Sequence, residues 1–400
     1  MKNNRTFLEK LLDGAEVEWK PLKDILIRTK GTKITAAEMK VLHKDNAPLK
    51  IFAGGKTFAL VNFEDIPEKD INKNPSIIVK SRGIIEFEYY DKPFSHKSEM
   101  WSYYSNDKNI NIKYIYYVLK NQEPYFQNLG SKMQMPQIAT PDTDKYLVPI
   151  PPLPVQTEIV KILDALTALT SELTRELILR QKQYEYYREK LLSEEELGKV
   201  GFEWKTLEEL VEKTQNIKWK NNTKTYRYID LTSVDRENNN ITGTIEINAL
   251  NAPSRAQKIV KENDVIFATT RPTQQRVALI SKEFSDEIAS TGYCVLRANT
   301  KIILPKWLFY FLSTINFKNY VEENQSGSAY PAISDSKVKE FKIPVPEITI
   351  QQRIIEKLDK FYSLTNSLLH GLPKEINNRK KQYSYYQKEL LNFLGGNIYE

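Results

Sequence analysis

VPIPPLPVQTEIVKILDALTALTSELTRELILRQKQYEYYREKLL, residues 148–192, has a second version at 343–391, IPVPEITIQQRIIEKLDKFYSLTNSLLHGLPKEINNRKKQYSYYQKELL. Both open on a proline-flanked, strand-like segment and pass a glutamine at Gln156 and Gln351. They then reach Leu163-Asp164 and Leu358-Asp359, and finish on Lys-Gln-Tyr-x-Tyr-Tyr and Leu-Leu. The prolines stop before the apolar residues begin to recur at spacings of three and four, so each copy predicts a long helix. In the first copy the stripe is Ile159, Ile162, Leu166, Leu169, Leu173, Leu177, Tyr184, Tyr187 and Leu191. The step from Leu173 to Leu177, followed by Arg180, adds one extra spacing of four, a stutter that locally unwinds a supercoil. A helix over 155–192 spans roughly 57 Å at 1.5 Å per residue. That is much longer than the globular mean of about 11 to 12 residues, and its other faces are too polar to cross a membrane. Such a helix does not bury its stripe alone, and the other copy is its natural partner in an antiparallel or crossing pair.

A third, partial copy completes the plan. Glu9-Lys10-Leu11-Leu12 repeats Glu189-Lys190-Leu191-Leu192, and each is followed by Glu-Trp-Lys with a leucine two residues on: Glu18-Trp19-Lys20 with Leu22, Glu203-Trp204-Lys205 with Leu207. The order is helix tail, domain, helix, domain, helix, which predicts neighbouring termini and a pseudo-two-fold ring. The repeat is far longer than the roughly 20 to 50 residues of a solenoid unit, and reads as a duplication. The expected fold is α/β (α+β): two globular domains joined by two long helices packed as an antiparallel, coiled-coil-like spine. The segments are 1–13 (N-terminal helix completing the repeat), 14–148 (first domain), 149–197 (central helical region), 198–341 (second domain) and 342–400 (C-terminal helical region).

Composition bounds the function. Four hundred residues with 40% hydrophobic content suit two globular units on exposed helices. One cysteine, Cys294, excludes an internal disulfide and any multi-cysteine metal site. No signal-peptide core and no apolar run of membrane-spanning length is present, so a reducing, cytoplasmic compartment is expected. Net charge is +7, and residues 14–148 and 198–341 each hold 20 basic against 17 acidic residues. A modest basic excess with 23 tyrosines fits a polyanion partner without demanding one.

Within the first domain, strand-like runs at 49–52, 58–61, 76–79 and 84–87 alternate with turn residues, and a helix is expected over 112–120 with Tyr114, Ile115, Val118 and Leu119 on one face. The second domain repeats that outline. Residues 265–268 answer 77–80, Thr270-Arg271-Pro272 answers Ser81-Arg82-Gly83, 307–312 answers the helix at Tyr114, and 327–334 answers the segment from Gly130 to Ala139. From Leu-Asp to the Lys-Gln-Tyr signature the second long helix has 23 steps against 19 in the first. His370-Gly371-Leu372-Pro373 sits at the insertion, so the second helix is expected as two helices with a corner.

Catalytic chemistry is hard to find. The Asn- or Asp-Pro-Pro-aromatic turn of an amino-methyltransferase is missing; Pro151-Pro152 follows Ile150. Gly55-Lys56-Thr57 resembles the end of a phosphate loop, but Lys50 stands where the first glycine belongs, and a turn between strands is the simpler reading. His43, His96 and His370 share no metal-ligand spacing, and no catalytic dyad or triad is evident. No catalytic residue, cofactor or metal is expected. His370 reads as a capping or exposed residue at the corner, and His96, beside Lys97, as an ordinary polar residue or a DNA contact. Candidates for contacting DNA are basic or amide residues on turns: Arg28, Lys30, Lys33, Lys56, Lys80, Arg82 and Lys97 in the first domain. In the second they are Lys218, Lys220, Arg227, Arg255, Arg271, Gln274, Gln275 and Arg276, with Tyr330 on the Gly-Ser turn. Taken alone, each reads first as an ordinary surface residue, and Arg82 with Arg271 is the strongest matched pair.

The repeated residues carry a resemblance. Ile-Pro-x-Pro with its glutamine, Ile-x-x-Ile-Leu-Asp, Leu-Thr-Ser-Glu-Leu and the run Arg-Gln-Lys-Gln-Tyr-Glu-Tyr-Tyr-Arg-Glu-Lys-Leu-Leu at 180–192 resemble the DNA-specificity subunits of type I restriction-modification systems. The resemblance covers essentially the whole chain and implies a non-enzymatic subunit. Its two target-recognition domains would each read one half of an asymmetric, split target in double-stranded DNA through the major groove. Its helices would set the distance between them and help dock two methyltransferase subunits, and through these the restriction-translocase subunits. The alternative is a protein-interaction scaffold on the same duplicated architecture.

Overall fold

In the computed structural model the described residues are 5–131, 135–236, 238–366 and 371–393. The chain divides into two compact units, Met1–Ser171 with Asn378–Glu400, and Glu172–Asn377. The boundary passes through both helical regions, so each unit unites one variable domain with part of each long repeat.

In the first unit, four strands run in the order Ile27–Lys30, Trp101–Tyr104, Ser76–Lys80, Glu86–Tyr90, all antiparallel. Leu49–Phe52 pairs antiparallel with Phe58–Val61 and parallel with Phe94–His96. The strand expected over 84–87 forms two residues later, at Glu86–Tyr90, because Gly83 turns the chain with φ +74° and Ile84 stays exposed. The expected helix forms at Ile112–Asn121, capped by the Asn111 side chain, and Tyr114, Ile115, Val118 and Leu119 are all buried. A two-stranded ladder closes the domain, pairing Glu18–Pro21 with Leu147–Ile150 and placing Trp19 opposite Pro149.

The second unit repeats this frame. Its first sheet has the order Val211–Glu212, Tyr293–Ala298, Val265–Ala268, Val277–Leu279, and its closing ladder places Trp204 opposite Pro344. A second four-stranded sheet again contains one parallel pairing, Tyr226–Ile229 with Ile288–Ser290. The counterpart helix is Pro305–Phe311.

The central helix is continuous from Leu153 to Leu191, 39 residues. Its stripe is buried unevenly: Ile159 and Tyr184 are buried, Leu169 is 37% exposed, and Val155, Val160 and Leu163, outside the expected stripe, are buried too. The first turns pack on the first domain over more than one face, which the spacing pattern does not show. The C-terminal region is two helices, Ile348–Asn366 and Gly371–Leu391. The connecting 367–370, with His370, lie outside the described residues, and Gly371 enters the second helix at φ +75°. In the second unit the central helix packs on Ile348–Asn366, Tyr184 meeting Tyr362 and Tyr187 stacking on Phe361 at 5.2 Å.

In the first unit the helix Phe7–Leu12, closed by a capping box at Thr6, meets the last helix: Phe7 contacts Tyr386, and Leu8 shares a core with Leu390, Leu391 and Phe393. The described ends of the chain are therefore neighbours, as the partial repeat requires. Among the described residues no helix is long and apolar enough to cross a membrane.

Candidate nucleic-acid interface

Each domain is tied to its long helix by the same set of side chains. Gln156, fully buried near the start of the central helix, accepts from Asn111 N at 2.9 Å and donates to the carbonyls of Asn109 and Pro151 at 3.0 and 2.8 Å. Gln351 accepts from Leu304 N at 2.9 Å and donates to Ile302 and Pro346 at 3.0 and 2.9 Å. Two turns later Asp164 receives the Tyr117 hydroxyl at 2.5 Å and Lys113 Nζ at 2.8 Å, and Asp359 receives Tyr310 and Lys306, both at 2.6 Å. Burial, and then the carboxylate, push the Tyr117 and Tyr310 hydroxyls far above the ordinary tyrosine range. The repeated Gln and Asp are conspicuous in the sequence, but Lys113, Tyr117, Lys306 and Tyr310 are not; only their equal spacing within the two domain helices hints at them.

From this anchored frame the turns at the sheet ends project. In the second domain Trp219 donates to the Ala256 carbonyl at 2.8 Å, fixing Lys218 and Lys220 beside Arg255. The Arg255 carbonyl accepts from Thr291 N, and the next residue's carbonyl, Gly292 O, accepts from Thr269 N, both at 2.8 Å. Successive hydrogen bonds thus gather Lys218, Lys220, Arg255 and Arg271 on linked turns, and all four side chains are exposed. The Arg271 guanidinium lies over the Tyr330 ring, 5.3 Å from its centroid. In the first domain Thr32 N donates to His96 O at 2.8 Å, Lys97 N to Phe52 O at 2.9 Å, and Ser81 Oγ to Glu99 O at 3.0 Å. These bonds link the turns bearing Lys30, Lys33, Lys56 and Arg82, all four exposed. Lys56 occupies the tight turn between two strands, closed by Ala53 N on Thr57 O. Among the described residues none of these eight cations makes an ion pair.

Other expected contacts are otherwise engaged. Lys80 is buried and held by Glu86 at 2.6 Å and Glu88 at 2.8 Å on the neighbouring strand, so it offers no charge to a ligand. Arg28 pairs with Asp144, Lys97 with Glu99 at 2.8 Å, and Arg227 with Glu287 at 3.1 Å beneath the Phe284 ring. Arg276 donates to the Val234 carbonyl and to Gln274, while Gln275 Nε2 is buried with no hydrogen-bond partner among the described residues. His96 is fully buried, and burial holds its pKa below the ordinary value; it is part of the core rather than a DNA contact. His43 accepts from Leu60 N at 3.0 Å. Burial pushes the Cys294 thiol up to about 12. Among the described residues no cluster of three or more His, Cys, Asp or Glu is arranged to hold a metal ion.

The expected match of Arg82 with Arg271 is displaced by one residue. Ile138 N donates to Ser81 O and Gly83 N to Pro136 O; in the second domain Ile333 N donates to Thr269 O and Arg271 N to Pro331 O. Arg82 therefore corresponds to Thr270, and Arg271 to Gly83. Both Gly83 and Arg271 are left-handed, at φ +74° and +50°. Gly130 corresponds in the same way to Ser326 rather than Gly327, through their bonds to Gln137 and Ala332.

Comparison with known proteins agrees with the duplication. Residues 15–180 and 199–378 each match the family described as the type I restriction modification DNA specificity domain. The Escherichia coli type I restriction enzyme EcoR124I/EcoR124II specificity subunit is 32% identical over 415 residues, covering 97% of each chain. A Haemophilus influenzae protein, S.HindORF215P, is 32% identical over 409 residues, 98% of this chain and all of its own length. The crystal structure of a type I restriction-modification S subunit from M. genitalium superimposes with a TM-score of 0.62 over 96% of this chain and 98% of its own, at 16% identity, a likeness of fold. With both repeats matched and relatives aligned from end to end, the chain belongs to the type I restriction-modification DNA specificity family.

Proposed function

We propose that this chain is the DNA-reading subunit of a type I restriction-modification complex, with one half of an asymmetric, bipartite duplex target read by each of the domains 14–148 and 198–341. The observation that carries this reading is the contrast within the repeat. The fastening of the two domains matches, Gln156 and Asp164 making in one the bonds that Gln351 and Asp359 make in the other, while the turns carry different sets of cations without an ion pair among the described residues: Lys30, Lys33, Lys56 and Arg82 in one, Lys218, Lys220, Arg255 and Arg271 in the other. A shared frame with unlike reading turns suits two different half-sites. Cations on turns suit phosphate and base edges of duplex DNA.

The chain contributes no bond-making chemistry of its own in this reading. It recruits methyltransferase subunits, two per chain in keeping with the duplication, and through them the restriction subunits. Exposed apolar residues on the central helix, Ile178 at 49%, Leu179 at 55% and Tyr186 at 59%, support docking of a protein partner there. The EcoR124I/EcoR124II relative, named as a restriction enzyme's specificity subunit, supports the same assignment.

The test is duplex binding by the chain assembled with its methyltransferase partner, measured across a salt series. The logarithm of the affinity is expected to fall linearly with the logarithm of salt concentration, as phosphate neutralisation requires, and one duplex sequence is expected to bind far more tightly than the rest. A complex with no salt-dependent affinity for duplex DNA would instead mark the domains as a scaffold for other partners.

A further inference from the structure

Arg271 combines three features that no other exposed cation of the second domain shares. It is a non-glycine residue in the left-handed region, at φ +50°, in a frame position that the first repeat fills with Gly83. Its backbone is fixed there by the bond from its N to Pro331 O at 2.7 Å. Its guanidinium is laid against an aromatic ring, Tyr330, which is itself 71% exposed.

The turn that carries Tyr330 is built tightly. Ser326 and Ala332 exchange two backbone hydrogen bonds of 2.8 Å, and Gly327, at φ +93°, packs so closely on the Tyr330 carbonyl that a side chain there would have to displace it. Tyr330 is therefore presented by a closed hairpin, anchored to the strand extension that carries Arg271 through the Thr270–Ala332 bridge. A left-handed backbone is disfavoured for any residue with a Cβ, and such strain persists where a side chain is needed at that place. A charge needed only to meet phosphate has unstrained positions available nearby, where Lys218, Lys220 and Arg255 already stand. What the strained position adds is direction: a planar fork held over the ring, with no hydrogen bond or ion pair to its guanidinium among the described residues. That is the geometry for bidentate recognition of guanine O6 and N7, which a phosphate contact does not require.

We propose that Arg271, backed by Tyr330, is a base-reading residue of the second domain and recognises a guanine in its half of the target, whereas the first domain, with Gly83 at the same place in the frame, reads no base from there. This rests on the DNA-reading function proposed above. The experiment is to map modified adenines in cells that carry the complete complex with the wild-type chain, R271G or Y330A. Glycine is the first repeat's own residue at this position, so R271G relieves the backbone while removing the fork. Wild type is expected to show a guanine in one half-site. R271G is expected to lose about ten- to a hundredfold of the discrimination at that one position, with the other half-site unchanged. Y330A is expected to weaken the same position to a smaller degree.

Retention of every base preference in R271G overturns the inference. So does a uniform loss of modification across sites with the preferences intact and a salt slope reduced by about one, the signature of a phosphate contact. Should R271G abolish modification altogether, Y330A decides: relaxation at a single guanine supports the inference and an unrelaxed motif overturns it. A wild-type complex that modifies no motif dependent on this chain would remove the DNA-reading function itself, a result distinct from an R271G motif that stays intact.

Discussion

Gln351 sits fully buried with both ends of its amide satisfied by backbone from three places: Leu304 N, Ile302 O and Pro346 O. Truncating it leaves one donor and two acceptors without partners in a site that water does not reach, so Gln351→Ala is expected to cost about 2–4 kcal/mol. Asp359 is different. It is about one-third exposed and its ion pair with Lys306 is more open still, so that pair contributes well under about 1 kcal/mol. The charge-assisted bond from the largely buried Tyr310 is worth more, and Tyr310→Phe is expected to cost about 1–2 kcal/mol. Urea unfolding should rank the variants in that order, and hydrogen exchange should place the lost protection around Pro305–Phe311 and the start of Ile348–Asn366. Equal costs for the two substitutions would show that the glutamine is not the main fastener. The same tyrosines set an alkaline limit. The hydroxyls of Tyr117 and Tyr310 are held protonated far above their ordinary range, by burial first and by their aspartates second, and burial raises Tyr103, Tyr184, Tyr293 and Tyr362 in the same direction. A folded pKa above the unfolded value gives stability that is complete below about pH 10 and lost as pH climbs, because the unfolded chain releases protons that the folded chain retains. The urea midpoint is thus expected to be flat in this respect up to about pH 9.5 and to fall steeply by pH 11, and Tyr310→Phe should make that fall shallower.

At the scale of elements, the central helix runs unbroken through the boundary between the two compact units at Ser171–Glu172, as the helix Gly371–Leu391 does at Asn377–Asn378. A rigid helix makes the separation of what is attached to it a function of residue count, at about 1.5 Å per residue. Removing four residues between 163 and 182, about one turn and so about 6 Å, keeps the helical face nearly in phase while shortening the rod. Adenine mapping is expected to find both half-sites unchanged and the permitted gap between them altered; altered half-sites with an unaltered gap would refute the role of the helix as a ruler. This element was easy to read from the chain, because its signal is local: prolines before it, apolar residues at helical spacing, and a glycine and a proline where the second copy divides into Ile348–Asn366 and Gly371–Leu391. The turns were harder for an equally physical reason. In the sequence Lys80 reads as one more cation on a turn, and nothing local shows that Glu86 and Glu88 return on the next strand to enclose it. Residue type pairs Arg82 with Arg271, whereas the backbone bonds to Pro136 and Pro331 pair Arg271 with Gly83. The glutamine and aspartate stand out as repeated letters, but their partners do not, since Lys306 and Tyr310 lie about 50 positions from Asp359 and meet it only when the strand pair has closed the domain.

At the scale of the whole molecule the duplication separates what is kept from what varies. Each closing ladder, Glu18–Pro21 with Leu147–Ile150 and Glu203–Thr206 with Lys342–Val345, draws the two ends of its domain together, Trp19 facing Pro149 and Trp204 facing Pro344. The fastening to the helix then uses the same side-chain types in both units, glutamine, aspartate, lysine and tyrosine, with Tyr114 and Trp307 reaching the carbonyls of Pro149 and Pro344 at 2.9 and 3.0 Å. A domain whose ends meet and whose attachments repeat is exchangeable, because a replacement that carries the lysine and tyrosine of its own helix finds the same glutamine and aspartate waiting at Gln351 and Asp359. Replacing residues 198–341 with the equivalent stretch of another family member is therefore expected to give a folded, modification-competent complex in which one half of the motif changes and the other stays. The expectation is strict for donors that retain the lysine and tyrosine, and should weaken for those that lack them, with thermal stability falling before specificity is lost. If both halves of the motif change on exchange of this one domain, the two reading surfaces are coupled and the duplicated frame is not a pair of independent sockets.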